Sequence, residues 1–132
     1  MNLSDLFILV VDDDVFTQDL LTEMLGSLGI TRVQCANNGR SALALLAKQP
    51  EPPHAIICDV VMPDMDGIEL INALAAQRYS GGLVLLSGMD MQMLSLAKDI
   101  AQASEETVLG AFVKPVATPV LAVALENMLH KK

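Results

Sequence analysis

The sequence has no tryptophan and only four aromatic residues, Phe7, Phe16, Tyr79 and Phe112. Base-stacking platforms are built from such rings, so the composition speaks against one. Basic residues are also scarce, with 8 Lys and Arg against 16 Asp and Glu and a net charge of −8. Contact with nucleic acid or an anionic bilayer needs clustered cations, so neither is expected as a direct partner. The two cysteines, Cys35 and Cys58, are too few for a disulfide framework, and each sits in an apolar run. Both are expected to be reduced core thiols of a cytoplasmic protein. His54 and His130 lack Cys or His neighbours, which leaves no zinc pattern. The most apolar stretch, 107–129, is interrupted by Lys114, Pro115 and Pro119, so no membrane span is expected. No basic segment opens the chain and Asp5 interrupts its first apolar residues, unlike a signal peptide.

What is present is apolar, at 52% of 132 residues, which suits one domain over 1–132 with a single core. Apolar strand runs alternate with amphipathic segments five times. Strands are predicted over 6–11, 32–36, 55–58, 83–86 and 108–113. In the first helical segment Phe16, Leu20, Met24 and Leu28 recur every four residues, with Leu21 and Leu25 beside them. Further helices are predicted over 39–48, 67–78 and 89–103. A last one opens with Thr118 as N-cap and Pro119 at its first position. Four strands are continuous apolar runs, as in a parallel sheet covered on both faces. The second alternates Arg32 and Gln34 with Val33 and Cys35, the pattern of an edge. The expected fold is α/β, a doubly wound five-stranded parallel sheet of order 2-1-3-4-5 in the flavodoxin-like manner, with helices on both faces.

In such sheets ligands bind beyond the carboxyl ends of the strands. Asp12, Asp13 and Asp14 follow the first strand, Asp59 the third, Ser87 the fourth and Lys114 the fifth. Including Asp64 and Asp66, six of the 16 acids fall in two loops at one rim. Asp14 reads as a helix N-cap, and Asp66 with Gly67 as a turn into the third helix. Two carboxylates ~4 Å apart repel by roughly 4 kcal/mol at an effective dielectric of 20. Asp12, Asp13 and Asp59 carry −3, which a divalent cation and Lys114 together cancel. Hard oxygen donors suit Mg²⁺, and Mn²⁺ as well. A carboxylate nucleophile, a metal, an ammonium and a hydroxyl are the parts that phosphoryl transfer to an aspartate requires.

The chain resembles a receiver domain of two-component response regulators over nearly its full length. The likeness rests on Ile8-Leu9-Val10-Val11-Asp12-Asp13, on the run from Asp59 through Met62-Pro63 to Asp66-Gly67, on Leu85-Leu86-Ser87-Gly88, and on Phe112-Val113-Lys114-Pro115. It implies that Asp59 is the phosphoacceptor, with Asp12, Asp13, Asp59 and the carbonyl of Val61 holding Mg²⁺. It further implies that Ser87 is the switch hydroxyl, Lys114 the pocket lysine, and the Lys114–Pro115 bond cis. The implied partners are a sensor histidine kinase or phosphotransfer protein, and an effector at the face made by helix four, strand five and helix five. A homodimer through that face belongs to the same expectation. Such a domain is not an enzyme beyond its own phosphorylation and dephosphorylation.

Two features depart from the family pattern. The switch aromatic is replaced by Ala111, and Phe112, one residue later, falls on the opposite face of a strand. Ser87 and Lys114 lie 27 positions apart, with the extra length around 101–107. Two alternatives remain. Asp12-Asp13-Asp14 resembles the opening of a haloacid-dehalogenase-type phosphatase, although only Glu126 follows Lys114 as a later acid and the 59–67 run is left unexplained. A receiver acting as an unphosphorylated interaction module is the other.

Overall fold

The computed structural model describes every residue except 63–66, 89 and 130–132. The expectations attached to Asp64, Asp66, His130 and a helix start at Met89 lie outside the described residues. A 3₁₀ turn at Leu3–Asp5, absent from the sequence reading, precedes β1 (Phe7–Val11) and α1 (Val15–Ser27). There follow β2 (Arg32–Ala36), α2 (Gly39–Lys48), β3 (Ala55–Asp59), α3 (Gly67–Ala76), β4 (Gly82–Ser87), α4 (Met91–Ala103), β5 (Thr107–Val113) and α5 (Thr118–Leu129). All pairings are parallel, in the order β2-β1-β3-β4-β5. The doubly wound sheet read from the sequence is therefore the one that forms.

Alternating side chains divide the core between the two faces of the sheet. Ile8, Val10, Ile57, Val84 and Leu86 pack with Leu21 and Leu25 of α1 and Leu121 and Leu125 of α5. Leu9, Val11, Ile56, Cys58 and Leu85 pack with Leu70, Ile71 and Leu74 of α3 and Leu94 and Ala97 of α4. The three inner strands are buried at every position.

Four local readings are corrected. β5 is an edge strand and partly exposed along its length, because no further strand covers its outer side. Cys35 is exposed on the other edge strand, β2, so only Cys58 is a core thiol. On α1 the buried face is Gln18, Leu21 and Leu25. Phe16 and Leu20 of the predicted stripe are exposed, at 74% and 40%. α5 begins one residue earlier than predicted: Thr118 is its first residue, not its N-cap, and the Ala117 carbonyl accepts the Leu121 N–H.

β5 carries one extra residue. Leu83 pairs with Val108 but Val84 pairs with Gly110, so Leu109 is bulged. Val108 and Ala111 consequently both face the α3–α4 side, while Leu109 and Phe112 both face the α1–α5 side. The Phe112 ring lies over Gly110, where an added Cβ would come within 2.4 Å of it and displace the ring.

At the start of α3 a Cβ on Gly67 would lie 2.4 Å from the Val60 Cα, and backbone cannot yield as a flexible side chain does. Gly67→Ala is therefore expected to cost about 3 kcal/mol, read as a lower urea midpoint. A change below about 0.5 kcal/mol would show that this approach does not constrain the turn.

Candidate functional site

The pocket follows from strand register. Val11 is level with Cys58, so the residues that follow them, Asp12 and Asp59, emerge side by side. Ser87 is level with Val113, which brings Lys114 to the same rim. Each side chain stands at the carboxyl end of a strand, buried in β1, β3 and β4 and partly exposed in β5, where polar groups reach a shared cleft.

Asp12 is only 1% exposed. Its Oδ1 accepts the Asp14 N–H at 2.9 Å, and its Oδ2 accepts from Lys114 Nζ at 2.7 Å. Lys114 also donates to Asp59 Oδ2 at 3.1 Å, while Asp59 Oδ1 accepts the Val61 N–H at 3.0 Å. One ammonium thus bridges two carboxylates. Asp13, exposed, completes the group: one oxygen from each of Asp12, Asp13 and Asp59 lies within 4.8 Å of the others. That donor set, hard oxygens carrying −3 beside a single ammonium, fits a divalent cation such as Mg²⁺. Desolvation and the neighbouring Asp12 raise the Asp59 pKa, and the Val61 N–H and Lys114 only partly oppose them. Burial by itself would lower the Lys114 pKa. The hydrogen bonds and charges of Asp12 and Asp59 outweigh it, so the net shift is upward and Lys114 stays charged.

Ser87 is fully buried at the same rim, but its hydroxyl is turned to the β4–α4 loop. Its Oγ donates to the Asp90 carbonyl at 3.1 Å and accepts the Asp90 N–H at 3.2 Å. The Asp90 carboxylate in turn caps α4, accepting the Met93 N–H at 2.9 Å. Val61 is exposed beside Asp59, and the Lys114–Pro115 bond is cis. Asp14 caps α1, accepting from the Phe16 N–H and the Thr17 hydroxyl.

Two supports of the pocket escaped the sequence reading. Gln18 Nε2 donates to the Asp12 carbonyl at 2.7 Å and to Asn37 Oδ1 at 2.8 Å, tying α1 to the end of β1. Its signal was a polar residue in register with Leu21 and Leu25. The helix predicted over 89–103 would include Asp90, which instead caps α4, and only the loop geometry connects it to Ser87.

Fold and pocket together define a doubly wound parallel domain whose switch point carries clustered carboxylates bridged by a lysine. The family model of the response regulator receiver domain matches residues 8–126. The chain belongs to that family, whose members are signalling modules of two-component systems. A probable chemotaxis protein CheY from Rhizobium etli is 36% identical over 67 residues, 51% of this chain and 50% of that protein. The two-component response regulator ARR2 of Arabidopsis thaliana is 30% identical over 129 residues, 98% of this chain and 18% of that protein. The chain thus spans half or less of the length of these curated relatives. Among solved structures, a response regulator from Colwellia psychrerythraea superposes with a TM-score of 0.76 at 32% identity, over 94% of this chain and 97% of that one. Vibrio cholerae CheY4 gives 0.76 at 28% identity, over 93% and 98%. Among the described residues no helix is long and apolar enough to cross a membrane.

Proposed function

We propose that the chain is a phosphorylation-switched receiver, taking a phosphoryl group onto Asp59 from a phosphohistidine of a sensor kinase or phosphotransfer protein. The observation that carries this reading is the Lys114 ammonium bridging Asp12 and Asp59 within the three-carboxylate cluster. Two hydrogen bonds orient the Asp59 carboxylate, which lowers the entropic cost of in-line attack. Its raised pKa makes it a more basic nucleophile than an ordinary aspartate. In the step, an Asp59 oxygen bonds to phosphorus, the nitrogen–phosphorus bond of the donor breaks, and its electron pair stays on the imidazole. Mg²⁺ or Mn²⁺, held by Asp12, Asp13, Asp59 and the Val61 carbonyl, would supply charge neutralisation on the phosphoryl oxygens. Lys114 contributes the remaining positive charge. A histidine donor fed by ATP makes the cytoplasm the working compartment. Beyond transfer onto and off its own Asp59, no enzymatic activity is assigned.

Output then runs through Ser87. A phosphoryl oxygen on Asp59 competes for the Ser87 hydroxyl, which otherwise closes onto Asp90 at the cap of α4. Ala111 has no ring to move, so this chain of hydrogen bonds is the connection from pocket to helix. Exposed Leu96, Val113, Val120 and Val123 supply apolar contact for an effector, or for a second copy, on the α4–β5–α5 face. Val15, Phe16 and Leu20 of α1, beside a groove of about 260 Å³ reaching Lys114–Val116, supply a landing for the donor.

Ser87→Ala is expected to keep phosphoryl incorporation within about tenfold of the parent, because Lys114 and the cation remain. The parent should change the exchange rate of the Met93 amide about fivefold on phosphorylation, and Ser87→Ala should not. An undiminished α4 response in phosphorylated Ser87→Ala would remove Ser87 from the output path.

A further inference from the structure

At the opposite end of the sheet, α3 and α4 finish in the same way. The Tyr79 N–H returns to the Leu74 carbonyl and the Glu106 N–H to the Ala101 carbonyl, each at 3.0 Å. The residue before each, Arg78 at φ 56° and Glu105 at φ 63°, takes the left-handed conformation that usually goes to glycine. Both turns open on one cavity of about 500 Å³, lined by Ala75, Arg78, Tyr79, Ser104, Glu105 and Glu106.

Glu106 is the anomaly. It is 9% exposed, both carboxyl oxygens are closed to solvent, and neither has a hydrogen-bond partner among the described residues. A buried carboxylate lacking both a cation and donors is too costly to hold, so the group stays buried as the neutral acid. Burial pushes its pKa up to about 7. Once ionised it has room to leave, because the cavity adjoins it and Arg78 stands on the cavity wall.

We propose that Glu106 is a two-position acid, neutral and buried at the α4–β5 junction or ionised and turned into the adjoining cavity beside Arg78, so that proton loss loosens α4 against β5. The proton passes to solvent and no other bond changes. From the turn after α3 the ionisable groups on the cavity are Arg78 and Tyr79, and from the turn after α4 it is Glu105. The Tyr79 hydroxyl is committed to the Pro53 carbonyl at 2.8 Å, and its pKa is raised by burial to a range where it stays protonated. Lys98 and Asp99 of α4 and Glu69 of α3 are exposed. β4 and β5, the strands nearest the junction, contain no ionisable residue between Gly82 and Ser87 or between Thr107 and Val113. Arg78 is therefore the cation available to the ionised form. The inference is independent of phosphorylation, yet it acts on two elements of the proposed output face.

The sign of the effect follows from linkage. The folded chain holds this proton more tightly than the unfolded chain, whose carboxyl has its ordinary value of 4.5. The stabilisation is complete below that value and is lost as pH rises towards about 7. Thermal unfolding of the intact chain across this range is the test, with Glu106→Gln as the permanently neutral form. The parent and Glu106→Gln are expected to match at about pH 4, with the variant melting about 5 °C higher at about pH 8. Arg78→Gln should move the midpoint of the parent's pH response upward, since the ionised form loses its counter-charge. A carbon-detected titration of the Glu106 carboxyl in the parent needs no variant and should show a midpoint near 7. Parallel pH profiles for parent and Glu106→Gln, a Glu106 midpoint in the ordinary carboxylate range, or an Arg78→Gln midpoint that does not move would each overturn the proposal.

Discussion

Asp59→Asn is expected to take up no phosphoryl group from acetyl phosphate and Mg²⁺ under conditions that label the parent chain stoichiometrically. The amide keeps the shape and leaves an oxygen able to accept the Val61 N–H, so the loop should stay in place. What it lacks is the anionic oxygen that attacks phosphorus, and an amide cannot substitute for it. The parent should gain the mass of one phosphoryl group in a form released by hydroxylamine, as an acyl phosphate is. Stability should move the other way. Desolvation raises the pKa of Asp59, so its ionised form opposes folding at neutral pH, and that opposition disappears in the neutral variant. A melting temperature equal to or above that of the parent is therefore expected without divalent cation. Equal labelling of Asp59→Asn would assign the acceptor elsewhere, with Asp12 or Asp13 next in line. Phosphomonoester turnover lost with Asp12 would restore the phosphatase alternative. A folded parent that never labels would favour the unphosphorylated module.

Lys114→Gln should damage both stability and transfer. The ammonium bonds at 2.7 Å to Asp12 and 3.1 Å to Asp59, both buried, and it is the only cation among the described residues within 4 Å of either. Removing it leaves three carboxylates in mutual reach with no positive charge. Breaking a buried pair costs about 3–5 kcal/mol, and because Lys114 is itself partly exposed a loss of about 2 kcal/mol is expected at neutral pH. Millimolar Mg²⁺ should recover part of that loss, since two positive charges enter the same cluster and only the folded chain offers it. The transfer rate should not recover. Loss of one aimed donor to the developing charge costs about 10²-fold or more, a gap readable in the time course of labelling. Labelling within threefold of the parent, or an unchanged melting temperature in the absence of divalent cation, would mean that Lys114 is a surface charge and not part of the pocket.

Much of the site was legible because a parallel sheet converts chain order into position. Strands of period two in doubly wound order must release their following residues at one rim, so Asp12, Asp59, Ser87 and Lys114 could be grouped without coordinates. The edge position of β2 was equally readable from Arg32 and Gln34. Where two choices were both apolar the pattern had no preference. On α1, Phe16–Leu20 and Leu21–Leu25 are rival stripes. Packing selects the second, since only that face brings Gln18 to the Asp12 carbonyl and Asn37.

The opposition of Ala111 and Phe112 was likewise written in their adjacency, but the face each takes was not. Strict alternation from Val108 would place Phe112 on the α3–α4 side with Val108. The bulge at Leu109 reverses this, putting Ala111 there and folding the ring of Phe112 over Gly110 on the α1–α5 side. Glu106 shows the same limit. By sequence it is one more acid in an acidic chain, and its burial is decided by the turn that ends α4. The scarcity of aromatics and cations set an expectation about whole classes of partner from composition alone. Composition and periodicity act through chain order, which survives in any parallel sheet. The direction of one ring or one carboxyl depends on a single added residue or a single helix end, and only packing across the sheet decides it.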